Sequence, residues 1–131
     1  MKRNTATALA VVVLGWFYFN HMQDPVARYT AYPFEYRDVV VSAAEKEEVS
    51  PSLVASVILA ESKYKNTAES ETGALGLMQL MPDTARWVAQ QMGHSNYTDR
   101  QLKEPEINIQ LGTWYLGYLL KEFNGDEVQA L

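Results

Sequence analysis

Val57-Ile-Leu-Ala-Glu61-Ser-Lys-Tyr64 is followed, after a short polar connection, by Glu69-Ser-Glu-Thr-Gly73-Ala-Leu-Gly76-Leu-Met-Gln79-Leu-Met81-Pro-Asp-Thr-Ala85. The first stretch closes an apolar helical pattern with a carboxylate. Ser50-Pro51 starts that helix, because Ser can cap free N–H groups and Pro suits the first helical position. Leu53, Val54, Val57 and Ile58 then fall at i, i+3, i+4 spacing and define a buried stripe. Three or four residues beyond Val57 and Ile58 comes Glu61, so the period places a carboxylate on the apolar face. It also lies near the helix C-terminus, where the macrodipole disfavours negative charge. Burial and dipole both favour its protonated form. Two local rules broken at one residue mark a place where function is expected. The plainer reading lets Glu61 swing to solvent or pair with Lys63, Lys65 or Arg86.

The second stretch is a glycine-bearing turn feeding a short apolar segment. Gly73 and Gly76 permit tight turns or close approach. They form no phosphate loop, since the lysine and the strand-to-helix context are missing. Leu75, Leu77, Met78, Leu80 and Met81 read as core by default. Gln79 among them needs a partner if buried, and a sugar hydroxyl or amide would serve. The combination suggests a carboxyl acid beside a groove.

Around these stretches the pattern is helical. Val39, Val40, Ala43 and Ala44 predict an amphipathic helix over residues 35–48, with Glu45 to Glu48 as its solvated end. Pro82 and Asp83 open a helix reaching Met92 and stopped by Gly93, with Ala85, Val88, Ala89 and Met92 inside. His94 reads as a surface residue, and Asp99 to Lys103 as a short helical turn. Pro105 starts the longest helix of this region, to Phe123. Ile107, Leu111, Trp114, Tyr115, Tyr118, Leu119 and Phe123 are its expected apolar face, and Tyr115 or Tyr118 could line a groove. Gly112 and Gly117 each cost about 1 kcal/mol relative to Ala, which implies a close helix contact at one of them. Asn124-Gly125 ends the helix and Asp126 begins another. No stretch alternates as a strand, so the domain is expected to be all-α.

The chain has 131 residues, formal net charge -5 and no Cys. Its size suits one domain plus an appendage. The acidic balance argues against nucleic acid as a partner. Without Cys there are no disulfides, thiolate metal sites or Cys nucleophile. His21 and His94 give a zinc site or a Ser-His-Asp triad little to build on, so no metal and no cofactor are expected.

Lys2 and Arg3 precede an uncharged run from Thr5 to Phe19. It is short for a span of about 20 residues. Trp16 to Phe19 could extend it as an aromatic belt. No small-x-small cleavage site follows. Residues 1–22 are therefore expected to be a signal anchor, with a cleaved signal peptide as the competitor; both imply export. Residues 23–34, with Asp24-Pro25 and Tyr32-Pro33, read as a linker, and residues 35–131 as the domain.

Ala60-Glu-Ser-Lys-Tyr64, Gly73-Ala-Leu-Gly-Leu-Met-Gln-Leu-Met-Pro82 with Thr84-Ala85, and Pro105-Glu-Ile-Asn-Ile109 with Gly112 and Tyr115-Leu116 occur in this order. Together they closely resemble the catalytic domain of soluble-type lytic murein transglycosylases, relatives of goose-type lysozyme, from about Tyr32 onward. The resemblance implies a lysozyme-like α fold acting on peptidoglycan glycan strands, as a monomer without cofactor, at the bacterial cell envelope. The bond cut is the β-1,4 link between N-acetylmuramic acid and N-acetylglucosamine. Glu61 matches the family's single catalytic acid. It would protonate the glycosidic oxygen and then act as base on the muramic 6-hydroxyl, leaving a 1,6-anhydro end. Ser70, Gln79 and Met81 match positions that line the sugar groove, while Ser62 is structural. Ordinary glycosidases need two carboxylates; this family needs none besides the acid, and Glu69 and Glu71 are expected to be exposed turn residues. Family members continue beyond the equivalent of Gln129-Ala-Leu131 with an Ala-Tyr-Asn-Ala-Gly-type segment, before which this chain stops. The resemblance thus implies a domain lacking its C-terminal part. The alternative function is a non-catalytic peptidoglycan-binding module or an inactive truncated fragment.

Overall fold

Proline sets the first turn of three helices in the computed structural model, which describes residues 35–131. Its fixed φ suits a helix start, and its missing N–H is one that an opening turn cannot use. The elements run α1 (Arg37–Glu47), α2 (Pro51–Ser62), α3 (Pro82–Gln91), a 3-10 turn (Asp99–Lys103), α4 (Pro105–Glu122) and α5 (Glu127–Ala130). Among the described residues there is no strand, only isolated antiparallel bridges of Leu75 with Glu69 and with Leu80. The domain is mostly helical, as the periodicity indicates. The anchor and linker expected over residues 1–34 lie outside the described residues, and no described helix is long and apolar enough to cross a membrane.

The caps differ in one detail from the sequence-based expectation. Ser50 makes no side-chain cap; its carbonyl accepts from Leu53 N and Val54 N instead. Asp126 does cap α5, its carboxylate accepting from Val128 N and Gln129 N at 3.0 and 3.2 Å. Those bonds and the Gln129 side-chain amide lower the Asp126 pKa, the side-chain bond most. Met92 and Gly93, the latter at φ 78°, close α3 where expected.

Helix α4 is the element the others share. It packs against α1, the 3-10 turn, α3 and α5, while α1 also holds α2. Its buried side is Asn108, Ile109, Leu111, Gly112, Thr113, Leu116 and Gly117. That corrects the apolar face expected for it, of which only Leu111 is fully buried. The small residues turn inward because neighbouring segments come close. A Cβ on Gly112 would collide with the Met78 side chain, and one on Gly117 would sit 3.3 Å from the Glu47 carbonyl at the end of α1. The aromatic residues lie on the flank. Trp87 of α3 stands edge-on to Trp114 and Tyr118 of α4, at 5.6 and 5.2 Å between ring centroids, and Trp87 and Tyr118 remain partly exposed.

The core joins Leu80, Ala85, Val88, Ala89, Leu102 and Leu111. Each large apolar side chain buried there contributes about 1.5–3 kcal/mol. Leu80 ties the glycine-bearing turn into this core, so the turn is part of the packing and not an appended loop.

Candidate active site

Two pieces of chain carry the residues singled out by sequence. The first is the last turn of α2. Here the structure corrects the expected burial of Glu61: the residue is exposed, and Ser62 takes the buried position. The buried stripe of α2 is Val54, Ile58 and Ser62, at strict i, i+4 spacing. Leu53 and Val57 are half-buried and Leu59 is 54% exposed. The stripe therefore runs one residue to the side of the path extrapolated through Val57, and Glu61 is left exposed. The desolvation invoked for its carboxyl is absent from the described residues. Its position one residue before the helix end remains as expected.

The backbone behind Glu61 is firmly held. Ser62 Oγ donates to Ile58 O at 3.1 Å, and Lys63 N donates to Leu59 O at 3.1 Å. Lys63 and Tyr64 then take left-handed φ values of 52° and 64°, which turn the chain sharply. The turn brings the Tyr64 hydroxyl back onto α2, where it donates to Ala55 O at 3.2 Å. Burial raises the Tyr64 pKa. Ser62 thus has the structural part expected of it. Arg86, one of the pairing partners considered for Glu61, is taken by Asp83 and Asp99. Glu61 has no ion pair among the described residues. Glu69 and Glu71 are exposed, as expected, and Glu69 meets Lys103 at 3.4 Å.

The second piece is the turn from Ala68 to Met81. Leu75 and Leu80 exchange both backbone bonds, at 2.9 and 3.1 Å, and Gly76 N donates to Ala68 O at 2.9 Å. Ser70 is used inside the turn: its Oγ accepts from Ala74 N at 2.9 Å and lies 3.0 Å from the Thr72 hydroxyl. Gln79 is half-buried at φ 47°. Its Nε2 donates to Ala68 O at 3.2 Å and to Gly76 O at 2.8 Å. Two carbonyls facing one amide end require that end to be the NH2. Oε1 is thereby directed away from the turn, with no hydrogen bond among the described residues. The partner expected for Gln79 is thus the protein's own backbone for its donors, and only the acceptor is left over. Met81, just before α3, is 42% exposed.

The turn is joined to α4 by Asn108, a residue that motif and spacing do not single out. Asn108 is fully buried. Its Oδ1 accepts from Met78 N at 2.8 Å, and its Nδ2 donates to Leu75 O and Leu102 O, both at 2.9 Å. Thr113, also fully buried, donates to Met78 Sδ at 3.9 Å. The available signal was an Asn between Ile107 and Ile109 on the same helix face as Gly112, since a buried polar group there must be matched by partners.

Ser70 and Gln79 are brought together on one turn through Ala68 and Gly76. No hydrogen bond or ion pair links Glu61 to Ser70, Gln79 or Met81. Two cavities of about 290 and 330 Å³ lie elsewhere and share His94 and Gln110; neither is lined by those four residues. Among the described residues Glu61 is exposed. Among the described residues no group of three or more His, Asp or Glu could hold a metal ion.

Comparison with known proteins bears on this arrangement. The model of the transglycosylase SLT domain matches residues 38–131. The soluble lytic murein transglycosylase of Salmonella typhimurium is 33% identical over 100 residues, covering 76% of this chain and 16% of that protein. The endo-type membrane-bound lytic murein transglycosylase A of Citrobacter koseri is 44% identical over 79 residues, covering 59% of this chain and 39% of that protein. Among solved structures, an inactive mutant of lytic transglycosylase Slt from Pseudomonas aeruginosa superposes with TM-score 0.72 at 34% identity, over 76% of this chain and 16% of that one. The 70 kDa soluble lytic transglycosylase of Escherichia coli gives 0.71 at 31%, with the same coverage. The chain therefore spans about a sixth of the first curated relatives it matches. With the match running through every described helix, and with the motifs of α2, the turn and α4 in family order, the chain belongs to the transglycosylase SLT domain family.

Proposed function

We propose that this domain cleaves peptidoglycan glycan strands as a lytic transglycosylase, at the β-1,4 link between N-acetylmuramic acid and N-acetylglucosamine. The observation that carries the reading is an exposed carboxylate, Glu61, without an ion pair among the described residues, at the hydrogen-bonded end of α2 in a chain that belongs to this family. Glu61 donates a proton to the glycosidic oxygen as the bond to the anomeric carbon breaks. The resulting carboxylate then takes the proton of the muramic 6-hydroxyl, whose oxygen attacks the same anomeric carbon. The products are a 1,6-anhydromuramic end and a free 4-hydroxyl on the departing sugar; no water is consumed. A glycan laid over Glu61 strips water from the site. Bound polymer thereby supplies the desolvation that the described residues do not. Ser70, Gln79 and Met81 are the proposed glycan contacts. Gln79 Oε1 is suited to accept from an acetamido N–H or a hydroxyl.

Purified peptidoglycan digested with the full chain should yield muropeptides lighter by one water than hydrolysis products, by mass spectrometry. Glu61→Gln should abolish them. Reducing-end products would point to a muramidase, and binding without turnover to a wall-binding module.

Residues 1–22 fit a signal anchor or signal peptide that would deliver the domain to the outer face of the membrane, facing the wall. Some relatives are named membrane-bound and others soluble. Membrane fractionation of the full chain against one lacking residues 1–22 tests the anchor; equal solubility removes it.

A further inference from the structure

Asn108 is an unusual occupant for its place. It lies one turn into α4 between two aliphatic residues, and it is fully buried. An apolar residue there would suit the helix better, because Asn competes with the backbone and carries a desolvation cost. The structure keeps it satisfied with one acceptor bond and two donor bonds. All three go to backbone atoms of other segments. Two of them, Leu75 O and Met78 N, flank Gly76 and end at the residue before Gln79. The third, Leu102 O, ties the 3-10 turn to the same point.

We propose that Asn108 is a positioning residue for glycan contact, holding the Leu75–Met78 backbone so that Gln79 presents its Oε1 acceptor at one place. The inference rests on the glycan reading above and names how that site is set. The turn's own backbone bonds join Leu75 to Leu80, Gly76 to Ala68 and Gln79 to Gly76, and the Met78 N–H is left to Asn108. Gln79 adopts a left-handed φ that a side-chain-bearing residue keeps only when its surroundings over-determine it. Asn108 supplies that constraint from the α4 side. Gly76 completes the fit: at φ 78° it has no Cβ, and one would collide with the Asn108 side chain and the Leu102 carbonyl. Thr113 and Gly112, five and four residues along α4, hold and admit the Met78 side chain. Glu61 belongs to α2 and is reached by none of these bonds. The clamp therefore acts on substrate placement and leaves the acid in position.

The test is a double-mutant cycle on binding, in the full chain carrying Glu61→Gln so that substrate survives. The probe is purified glycan strands, and the readout is the dissociation constant. Gln79→Ala is expected to weaken binding about tenfold when Asn108 is intact and less than about twofold in an Asn108→Ala background. Circular dichroism and a cooperative melt verify that each variant is folded. A folded Asn108→Ala protein in which Gln79→Ala still costs about tenfold overturns the positioning role. If Asn108→Ala does not fold, Thr113→Val, which releases the Met78 sulfur at nearly constant volume, enters the same cycle: a reduced Gln79 effect supports the role and strict additivity overturns it. Absence of any glycan binding by the parent protein overturns the glycan reading and this inference together. Binding with additive costs removes only the inference.

Discussion

The end of α2 and the turn from Ala68 to Met81 are close in sequence but are held in opposite ways. The helix end is fixed by local bonds: Ser62 to Ile58, Lys63 to Leu59, Tyr64 to Ala55. The turn has local bonds too, but it is tied to the rest of the fold by Asn108 and Thr113, 30 to 35 residues from Leu75 and Met78. Glu61, the proposed acid, is thus carried by a helix end held by its own stretch, while the proposed contact residues depend on the completed fold. Loss of tertiary packing should disturb recognition before it disturbs the acid.

The largest expected effect isolates the first region. Glu61→Gln should lower turnover about 10³-fold with an unchanged thermal midpoint, because the side chain is exposed and has no ion pair among the described residues. A large drop in Tm would mean that Glu61 has a structural part. Next is Gly76→Ala, which attacks the second region alone. The strained φ and the collision with Asn108 should cost about 3 kcal/mol, or roughly 15 °C in Tm. Unchanged stability would show that the clamp is loose. Tyr64→Phe returns to the helix end and removes the hydroxyl that donates to Ala55 O; loss of that bond costs about 1 kcal/mol and a few degrees. Faster amide exchange should then be confined to the last turn of α2; exchange spreading into residues 75–80 would join the two regions.

The smallest effect is a control outside both. The Tyr97 hydroxyl is buried without a hydrogen-bond partner among the described residues. Burial, and then the Asp99 charge, push its pKa from the ordinary 10.0 up to about 12, with Arg86 opposing. A raised pKa means that the folded state retains the proton longer than the unfolded state does. The stability it reflects is present below pH 10 and is lost as pH rises toward 12. Tyr97→Phe should be neutral or stabilising by up to about 1 kcal/mol at neutral pH. It should also flatten that alkaline loss in pH-dependent melts, with turnover unaffected. A steep loss of stability at neutral pH would show that the hydroxyl has a partner.

Most of the fold was legible because it is written in short-range signals. Pro51, Pro82 and Pro105 start their helices and Gly93 ends α3, each through backbone geometry that the residue itself imposes. Val40, Ala43, Ala44, Ala85, Val88 and Ala89 are buried as their spacing indicates. The errors arose where side chains compete for one inward direction. A stripe drawn through both Val57 and Ile58 leads inward to Glu61, yet the helix turns Ile58 and Ser62 inward and leaves Glu61 outside. On α4 the large aromatics looked like the core face. The close approach of Met78 and the end of α1 instead selected Gly112, Thr113 and Gly117, and moved Trp114 and Tyr118 to the flank.

By itself, the sequence determined which segments are helical, where they stop, and that a carboxylate stands at the end of α2, since propensity, capping and period act within a few residues. Tertiary structure alone decided which way that carboxylate faces, which end of the Gln79 amide is left over, and that Asn108 joins the turn to α4. Those outcomes depend on distances between segments remote in sequence, and on the requirement that every polar group buried between them find a partner.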